Sequence, residues 1–190
     1  RRAGFRYLLV HMFGGNLLLA GIFFKVIAGD MMVANVGATH DAAFWLMFFA
    51  VCINGVIPPL HAWVADAYPE STITGGAFMS GLTTKAAMYI LIRLFAGTDF
   101  LIVVGVIMAI YGAIFAIIEN DMRRLLSYHI VNQLGFMVAG VGMGTALALD
   151  GAAAHAISNI LQKSLLFMCC GAIMYATGIR KISELGGLAK

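Results

Sequence analysis

Two lysines lie near the centres of long apolar runs, where a charge is least expected. Lys85 lies within "GLTTKAAMYILIRLF" in the run 75–95, and Lys163 lies within the run 151–176. An ammonium group at the centre of a lone membrane helix costs about 2.5–3.5 kcal/mol. Long side chains avoid this cost by reaching the interface, which is easy only near helix ends. Because ionisable groups at such positions commonly handle ions, we predict that Lys85 and Lys163 carry protons.

Polar and titratable side chains accompany both lysines. Spacings of three and four residues place the polar members of the last run on one stripe of a helix. The stripe consists of His155, Ser158, Asn159, Gln162 and Lys163. The run 122–144 carries Tyr128, His129, Asn132 and Gln133, and Thr83, Thr84 and Tyr89 surround Lys85. Histidine titrates near neutrality, so a row of such groups bridged by water can pass protons.

The predicted proton path follows from these groups. The proton carriers and relays are Lys85, Lys163, His129 and His155, and the polar lining is Tyr89, Asn132, Gln133, Asn159 and Gln162. Taken alone, His129 would serve equally well as a hydrogen-bonding residue between two helices. The sequence contains no carboxylate at the centre of a run, so we expect the acid that balances Lys85 to lie outside residues 1–190.

The composition indicates that these groups lie in a bilayer. Only 11% of the 190 residues are charged, 62% are hydrophobic and the mean hydropathy is +0.93, whereas soluble domains carry about 25% charged residues. A helix needs about 20 apolar residues to cross the hydrocarbon core. The apolar runs are 7–28, 42–57, 75–95, 100–119, 122–144 and 151–176. We therefore predict an all-α integral membrane protein with about six transmembrane helices, forming a single membrane domain over residues 1–190.

The basic residues predict how the chain is threaded. Six spans place on one side Arg1, Arg2, Arg6, Arg123, Arg124, Arg180, Lys181 and Lys190, and place near the other side Lys25 and Arg93. Cytoplasmic loops are enriched in Lys and Arg. Both ends are therefore predicted to be cytoplasmic, in a cell (inner or plasma) membrane. Because the sequence starts without an initiator methionine or a signal peptide, we expect it to be part of a longer chain.

The run 42–57 predicts an interrupted helix. It is short, contains Asn54-Gly55 and continues into Pro58-Pro59. Proline removes a backbone donor and disfavours helix in the preceding residue. Broken helices in bilayers line watery cavities and ion sites, but a short helix followed by an ordinary loop fits the same residues.

Other chemistries find no support in the residues. Cys52, Cys169 and Cys170 lie inside predicted spans without metal-ligand spacing, so they are interpreted as small apolar residues. No nucleophile is accompanied by a base and an orienting group. We predict no metal, no cofactor, no enzyme active site in this chain and no nucleic-acid binding.

Several continuous stretches resemble a known family. "PPLHAWVADAYPESTITGGAFMSGLTTKAAMYILIRLF" resembles the signature of the antiporter-like membrane subunits shared by Mrp-type cation/proton antiporters, respiratory complex I and membrane-bound hydrogenases. "ENDMRRLLSYHIVNQLGFM", "HAISNILQKSLLFMCCGAIMY" and "ELGGLAK" extend the resemblance over nearly the whole chain. The details "DAYPES" and "TTKAAMY" are most similar to the D-type subunit of Mrp antiporters.

The resemblance implies a fold and roles for individual residues. Such subunits have 14 helices in two inverted repeats, each with a broken helix and a mid-membrane chain of lysines, histidines and a glutamate. Lys85 matches the central lysine that follows the broken helix, and Lys163 with His155 matches the relay helix of the second repeat. The break itself would comprise Pro58, Pro59 and His61.

Two positions depart from the family pattern. Asn54 stands where a lysine is usual, seven residues before His61, and Asn159 stands where a second histidine is common. Asn54 cannot exchange a proton, so we expect it only to line the channel. The first half-channel is then altered or silent, or Lys85 carries its role alone.

The implied function is proton translocation in a monovalent cation (Na⁺ or K⁺)/H⁺ antiporter, together with other membrane subunits. The alternative is a proton-pumping membrane subunit of NADH-quinone oxidoreductase (complex I) or of a membrane-bound hydrogenase. In complex I the chain would belong to an NADH:quinone oxidoreductase. A further alternative, which Asn54 allows, is a transport-silent scaffold.

Overall fold

The computed structural model describes residues 2–30, 36 and 40–187. The helices are α1 (Arg2–Ile27), α2 (Ala42–Asn54), α3 (Ala62–Ala67), α4 (Ile73–Phe78), α5 (Thr84–Leu94), α6 (Phe100–Ile118), α7 (Met122–Met143) and α8 (Ala146–Thr177). A π-helical segment, Met79–Thr83, joins α4 to α5, and a 3₁₀ turn, Ile182–Glu184, follows α8. The predicted all-α class is confirmed for the described residues. Among them, α1, α6 and α8 are long and apolar enough to cross a membrane.

Five of the predicted apolar runs each correspond to one helix, whereas the run 75–95 comprises α4, the π-helical segment and α5, and several ends differ. Helix α2 ends at Asn54, three residues before the predicted boundary, and α8 begins at Ala146, five residues earlier than predicted. Thr145 explains the earlier start, since its side chain accepts a hydrogen bond from Ala148 N as an N-cap. The apolar pattern also misses α3, because six residues are too few to show a helical period.

Capping residues mark the ends of several other helices. Asp41 accepts from Phe44 N at the start of α2, and Asp121 accepts from the first turn of α7. Helix α7 ends at Gly144, whose φ of 64° lies in the left-handed region that glycine adopts without strain. These local signals produce a series of helices joined by short connections.

Glycines allow the closest helix contacts. A Cβ atom built on Gly135 of α7 would lie 2.5 Å from Ala109 N of α6, and one on Gly112 of α6 would lie 2.8 Å from Asn132 Cα of α7. Such separations leave room only for glycine, so α6 and α7 pack backbone against backbone.

Large, fully buried side chains come from several of the described helices and connections. They include Tyr68, Met88, Ile130, Leu134, Lys163 and Phe167. By contrast, α1 and α6 expose Phe, Leu and Ile side chains on their outer faces. Soluble proteins rarely expose apolar surface of this extent. The bundle therefore buries Lys85 and Lys163 among mostly apolar side chains and presents an apolar outer surface.

Arg123 fixes the chain segment that precedes α4. Its side chain is buried, with 3% of the residue exposed, and donates to Ser71 O at 2.6 Å, Thr72 O at 3.1 Å and Pro69 O at 3.2 Å. It also lies 5.9 Å from the centre of the Phe167 ring. One side chain thus ties the first turn of α7 to the start of the helical segment that leads to Lys85.

The charged side chains near Arg123 gather at one end of the bundle. They line a crevice of about 900 Å³ that includes Arg2, Arg6, Asp66, Glu70, Asp121, Arg124 and Arg180. Arg6 pairs with Asp66 at 2.8 Å, and Arg180 pairs with Asp121 at 3.0 Å and Glu70 at 3.2 Å. The described arginines that threading places on one side therefore share one end of the bundle. Arg1 and Lys190, predicted on the same side, lie outside the described residues.

Candidate functional site

Lys85 lies directly after the π-helical segment, as the second residue of α5. Its Nζ donates to Ser80 O at 2.7 Å, and the residue is 5% exposed. The lysine therefore turns back onto the widened turn and does not extend toward a helix end. π-helical turns inside α-helices frequently mark functional sites.

Lys163 is fully buried and connects α8 with α7. Its Nζ contacts Nδ1 of His129, and its exposed fraction is 0%. An ammonium group can only donate, and a neutral imidazole with its proton on Nε2 accepts at Nδ1. The geometry therefore fits a hydrogen bond from Lys163 Nζ to His129 Nδ1 that joins the two helices.

The region between the two lysines contains polar atoms that have no partner among the described residues. Helix α8 packs on α4 and on the π-helical segment, and Ser164 Oγ donates to Ala77 O of α4 at 3.3 Å. Thr84 Oγ1 and both side-chain polar atoms of Asn159 are buried and unpaired here, as is His155 Nε2. Buried polar groups nearly always bond to protein or to ordered water. These atoms therefore predict water positions along the α5–α8 interface.

The structure brings together some of the predicted residues and separates others. Lys163 contacts His129, and Lys85 and Asn159 are buried on α5 and α8, which pack against each other. Half-buried His155 lies two turns from Lys163 on α8. Tyr89 does not join them, being 62% exposed.

Helix geometry explains the positions of Tyr89 and Gln162. The buried face of α5 is centred on Thr84, Met88 and Leu91. Tyr89 follows Met88 and is rotated about 100° away from that face. Gln162 is exposed for the same reason, because it precedes the inward-facing Lys163. In the described residues, therefore, neither side chain lines the cluster.

Asn132 and Gln133 form hydrogen bonds with groups of α6 and α7. Asn132 Nδ2 donates to Ala109 O of α6 at 2.7 Å, and Gln133 Nε2 donates to Asn132 Oδ1 at 3.1 Å. These partners account for both amides as part of the α6–α7 contact.

The residues predicted to form a break occupy the connection between α2 and α3. The Pro58–Pro59 peptide is cis, and the His61 ring lies 4.6 Å from the Tyr111 ring of α6. Asn54, the last residue of α2, lines a cavity together with His11 of α1, and neither lysine is among the described residues of that lining.

Sequence reasoning missed three parts of this arrangement. His11 stands alone in an apolar run and matches no family position, so nothing in the sequence identifies its neighbours. Arg123 has the sequence context of an interfacial charge beside Arg124, although it is buried. The Ser80 carbonyl becomes a partner for Lys85 only through the π-helical segment, which no residue pattern predicts. Among the described residues, no three His, Cys, Asp or Glu side chains are arranged to hold a metal ion.

The family model described as "NADH:quinone oxidoreductase/Mrp antiporter, TM" matches residues 1–190. The chain belongs to this family. Together with its long apolar helices, this membership makes the chain an integral membrane protein and confirms the resemblance seen in the sequence.

Individual relatives carry different names within the family. The chain is 30% identical over 211 residues to the D subunit of the Na(+)/H(+) antiporter of Alkalihalophilus pseudofirmus, covering 100% of the chain and 42% of the relative. It is 31% identical over 209 residues to the N subunit of the NADH-quinone oxidoreductase of Desulforudis audaxviator, covering 99% of the chain and 42% of the relative. A chain in the Mrp complex from Dietzia sp. DQ12-45-1b superposes with a TM-score of 0.91 at 30% identity, covering 100% of this chain and 38% of that one.

The chain thus spans less than half the length of these relatives. Homologous chains sit in multi-subunit Mrp and respiratory membrane complexes.

Proposed function

We propose that the chain is the core of a proton-translocating subunit that corresponds to the D type of Mrp antiporters. It exchanges Na⁺, or another monovalent cation such as K⁺, for protons within a multi-subunit complex of the cell membrane. The observation that carries this proposal is the contact between fully buried Lys163 and His129. Two titratable groups from different helices meet there. The description of the chain's family names both NADH:quinone oxidoreductase and the Mrp antiporter.

The proposed mechanism moves a proton along the interior of the bundle. A proton held by Lys85 passes through water bonded to Thr84 and Asn159, reaches Lys163 and continues to His129. His155, whose Nε2 is unpaired among the described residues, extends the relay along α8. Each transfer is driven by the movement of a neighbouring charge, because two ammonium groups in a dry interior repel each other strongly.

The remainder of the subunit completes this path. We propose a 14-helix protein with inverted repeats, in which the α2–α3 connection at Pro58, Pro59 and His61 is the broken helix of one repeat. The carboxylate that balances Lys85 lies outside residues 1–190. Both ends of this segment face the cytoplasm. This orientation is supported by the arginines that gather at one end of the bundle, because cytoplasmic loops are enriched in Lys and Arg.

A redox-driven pump is the second candidate. The 31% identity to a subunit of an NADH-quinone oxidoreductase favours it as much as the 30% identity to an antiporter subunit favours exchange. In that case the same residues move protons, and electron transfer in partner subunits supplies the energy. A transport-silent scaffold is the third candidate, favoured only by the presence of Asn54 where a proton carrier is usual.

Cation-induced collapse of a preformed pH gradient tests the proposal, in inverted vesicles containing the complete complex. Lys85→Ala is expected to abolish collapse by Na⁺ or K⁺ while leaving assembly intact. Lys181→Ala is the matched control, since Lys181 lies outside the long helices and pairs with Glu184 at 2.9 Å on the surface. Full activity of Lys85→Ala would favour the scaffold. No response to any cation in wild-type vesicles would reject exchange and favour the redox pump.

A further inference from the structure

A second group of unpaired polar atoms lies apart from the two lysines. A cavity of roughly 280 Å³ lies between α1, α2 and α5. Its lining includes His11, Leu18, Asn54, Thr83, Ala86 and Ala87. His11 Nε2 and Asn54 Oδ1 are both buried and have no hydrogen-bond partner among the described residues.

The packing of α1 on α2 brings these two side chains to the same cavity. Gly14 lies one turn after His11, and a Cβ atom there would lie 3.4 Å from Ile53 Cγ2 and 3.7 Å from Asn54 Nδ2. The small residue keeps the helices close, so the end of α2 faces the His11 turn of α1. Asn54 thereby lines this cavity, which also borders Thr83 and Ala86 of the helical segment that carries Lys85.

The surroundings of His11 fix both its ring and its tautomer. Nδ1 lies 2.9 Å from Tyr7 O, and the ring packs against the rings of Tyr7 at 4.0 Å and Trp63 at 4.5 Å. A carbonyl oxygen only accepts hydrogen bonds, so Nδ1 carries the proton of the neutral ring. Nε2 is left with an available lone pair, which is the atom that takes up a further proton.

Two buried acceptors in one cavity require a donor between them. His11 Nε2 and Asn54 Oδ1 both accept, and neither finds an N–H or O–H group among the described residues. The volume admits several waters, because one water occupies about 30 Å³ of the liquid. Water satisfies both atoms when the ring is neutral, and a protonated His11 donates to the same water or to Asn54.

We propose that His11 and Asn54 form a hydrated proton-binding site on the α1–α2 side of the subunit. His11 takes up the proton, and the Asn54 amide and cavity water stabilise it. This inference rests on the proposed proton-translocating function. It adds a titratable group, His11, to the proposed proton path next to the C-terminal end of α2. Asn54 cannot perform that task itself.

The charged and titratable groups around the site are compatible with transient proton binding. Among the described lining residues, His11 is the titratable one. Toward the start of α1, Arg6 is paired with Asp66 of α3 at 2.8 Å. On α5, Lys85 is turned to Ser80 O, and after α2, His61 faces Tyr111. No carboxylate among the described lining residues traps the proton, so it can leave again.

Exchange of the two side chains tests the site. The full-length subunit is expressed in its complete complex as wild type, His11→Asn, the swap His11→Asn with Asn54→His, and the control His40→Asn. His40 precedes α2 and contacts the rings of Phe44 and Trp45, away from the cavity. Copurification of partner subunits measures assembly, and cation-induced collapse of the pH gradient in inverted vesicles measures transport.

His11→Asn is expected to lower the exchange rate about 10²-fold, the lower end of what a positioned acid–base group contributes. The swap is expected to restore most of the rate, because it returns an imidazole to the same cavity, and His40→Asn should match wild type. An assembled His11→Asn variant with normal transport, or an assembled swap as slow as His11→Asn, would overturn the proposal. Failure of both variants to assemble would assign His11 a packing role and also reject it.

Lys85→Ala, measured in parallel, separates failure of this site from failure of the proposed function. If wild-type exchange depends on Lys85 and is unaffected by His11→Asn, the inference fails and the proposed function stands. If wild-type vesicles show no exchange, the proposed function fails first.

Discussion

The contact between Lys163 and His129 can be tested with an apolar replacement of both partners. Lys163 is fully buried, so bulk solvent does not replace a lost partner. Losing one partner of a buried hydrogen bond costs about 1–3 kcal/mol, and more when the remaining group is charged. We expect His129→Leu, which strands the ammonium group, to lower the free energy of unfolding by about 3 kcal/mol. Lys163→Met strands only a neutral imidazole and should cost about 1 kcal/mol.

The double variant distinguishes this pair from two independent residues. Replacing both partners by apolar groups of similar shape is close to neutral, so His129→Leu with Lys163→Met should lie within about 1 kcal/mol of wild type. The measurement is unfolding of the full-length subunit in mixed detergent micelles, combined with the vesicle transport assay. All three variants should lose exchange, although the double variant regains stability. Additive losses of stability, or transport by the double variant, would refute the reasoning.

Two further predictions each compare a buried residue with an exposed residue of the same type. Arg123→Ala should lower the free energy of unfolding by about 3 kcal/mol or more, because it leaves buried carbonyls of the segment before α4 unpaired. Arg124→Ala should change the free energy of unfolding by less than about 1 kcal/mol, since that arginine is exposed and lies 3.9 Å from Glu119. Equal losses of the two variants in chemical unfolding would contradict the structural role of the buried Arg123 side chain. Gly135→Ala should cost about 1–3 kcal/mol by forcing α6 away from α7. Gly151→Ala meets no atom within 4 Å and should be neutral or stabilising in a thermal melt, and a similar loss at both glycines would disprove the close contact.

The long helices could be predicted from the sequence because each one is a local pattern. The run 100–119 and α6 agree to within one residue at the C-terminal end, and Asp121 caps α7 beside the predicted start at 122. Family membership was equally accessible, since the motifs around Lys85 and Lys163 are continuous stretches of sequence. Such features depend on neighbours in the chain and not on which helices pack together.

The composition of the polar cluster could be predicted only in part. Gln162 directly precedes Lys163 in the sequence, and Tyr89 lies four residues after Lys85. Helical spacing does not state where the centre of the buried face lies, and a rotation of about 100° per residue separates an inward from an outward side chain. The position of Asn132 could not be predicted either, because its partner, Ala109 O, belongs to another helix.

The sequence by itself determined that this is a helical membrane protein with two lysines near the centres of its apolar runs. It did so because hydropathy and helical period are properties of consecutive residues. Only the tertiary structure decided that Lys163 meets His129 and that His11 shares a cavity with Asn54. Those relations depend on the rotation and separation of packed helices, which small residues such as Gly14 set between elements distant in the chain.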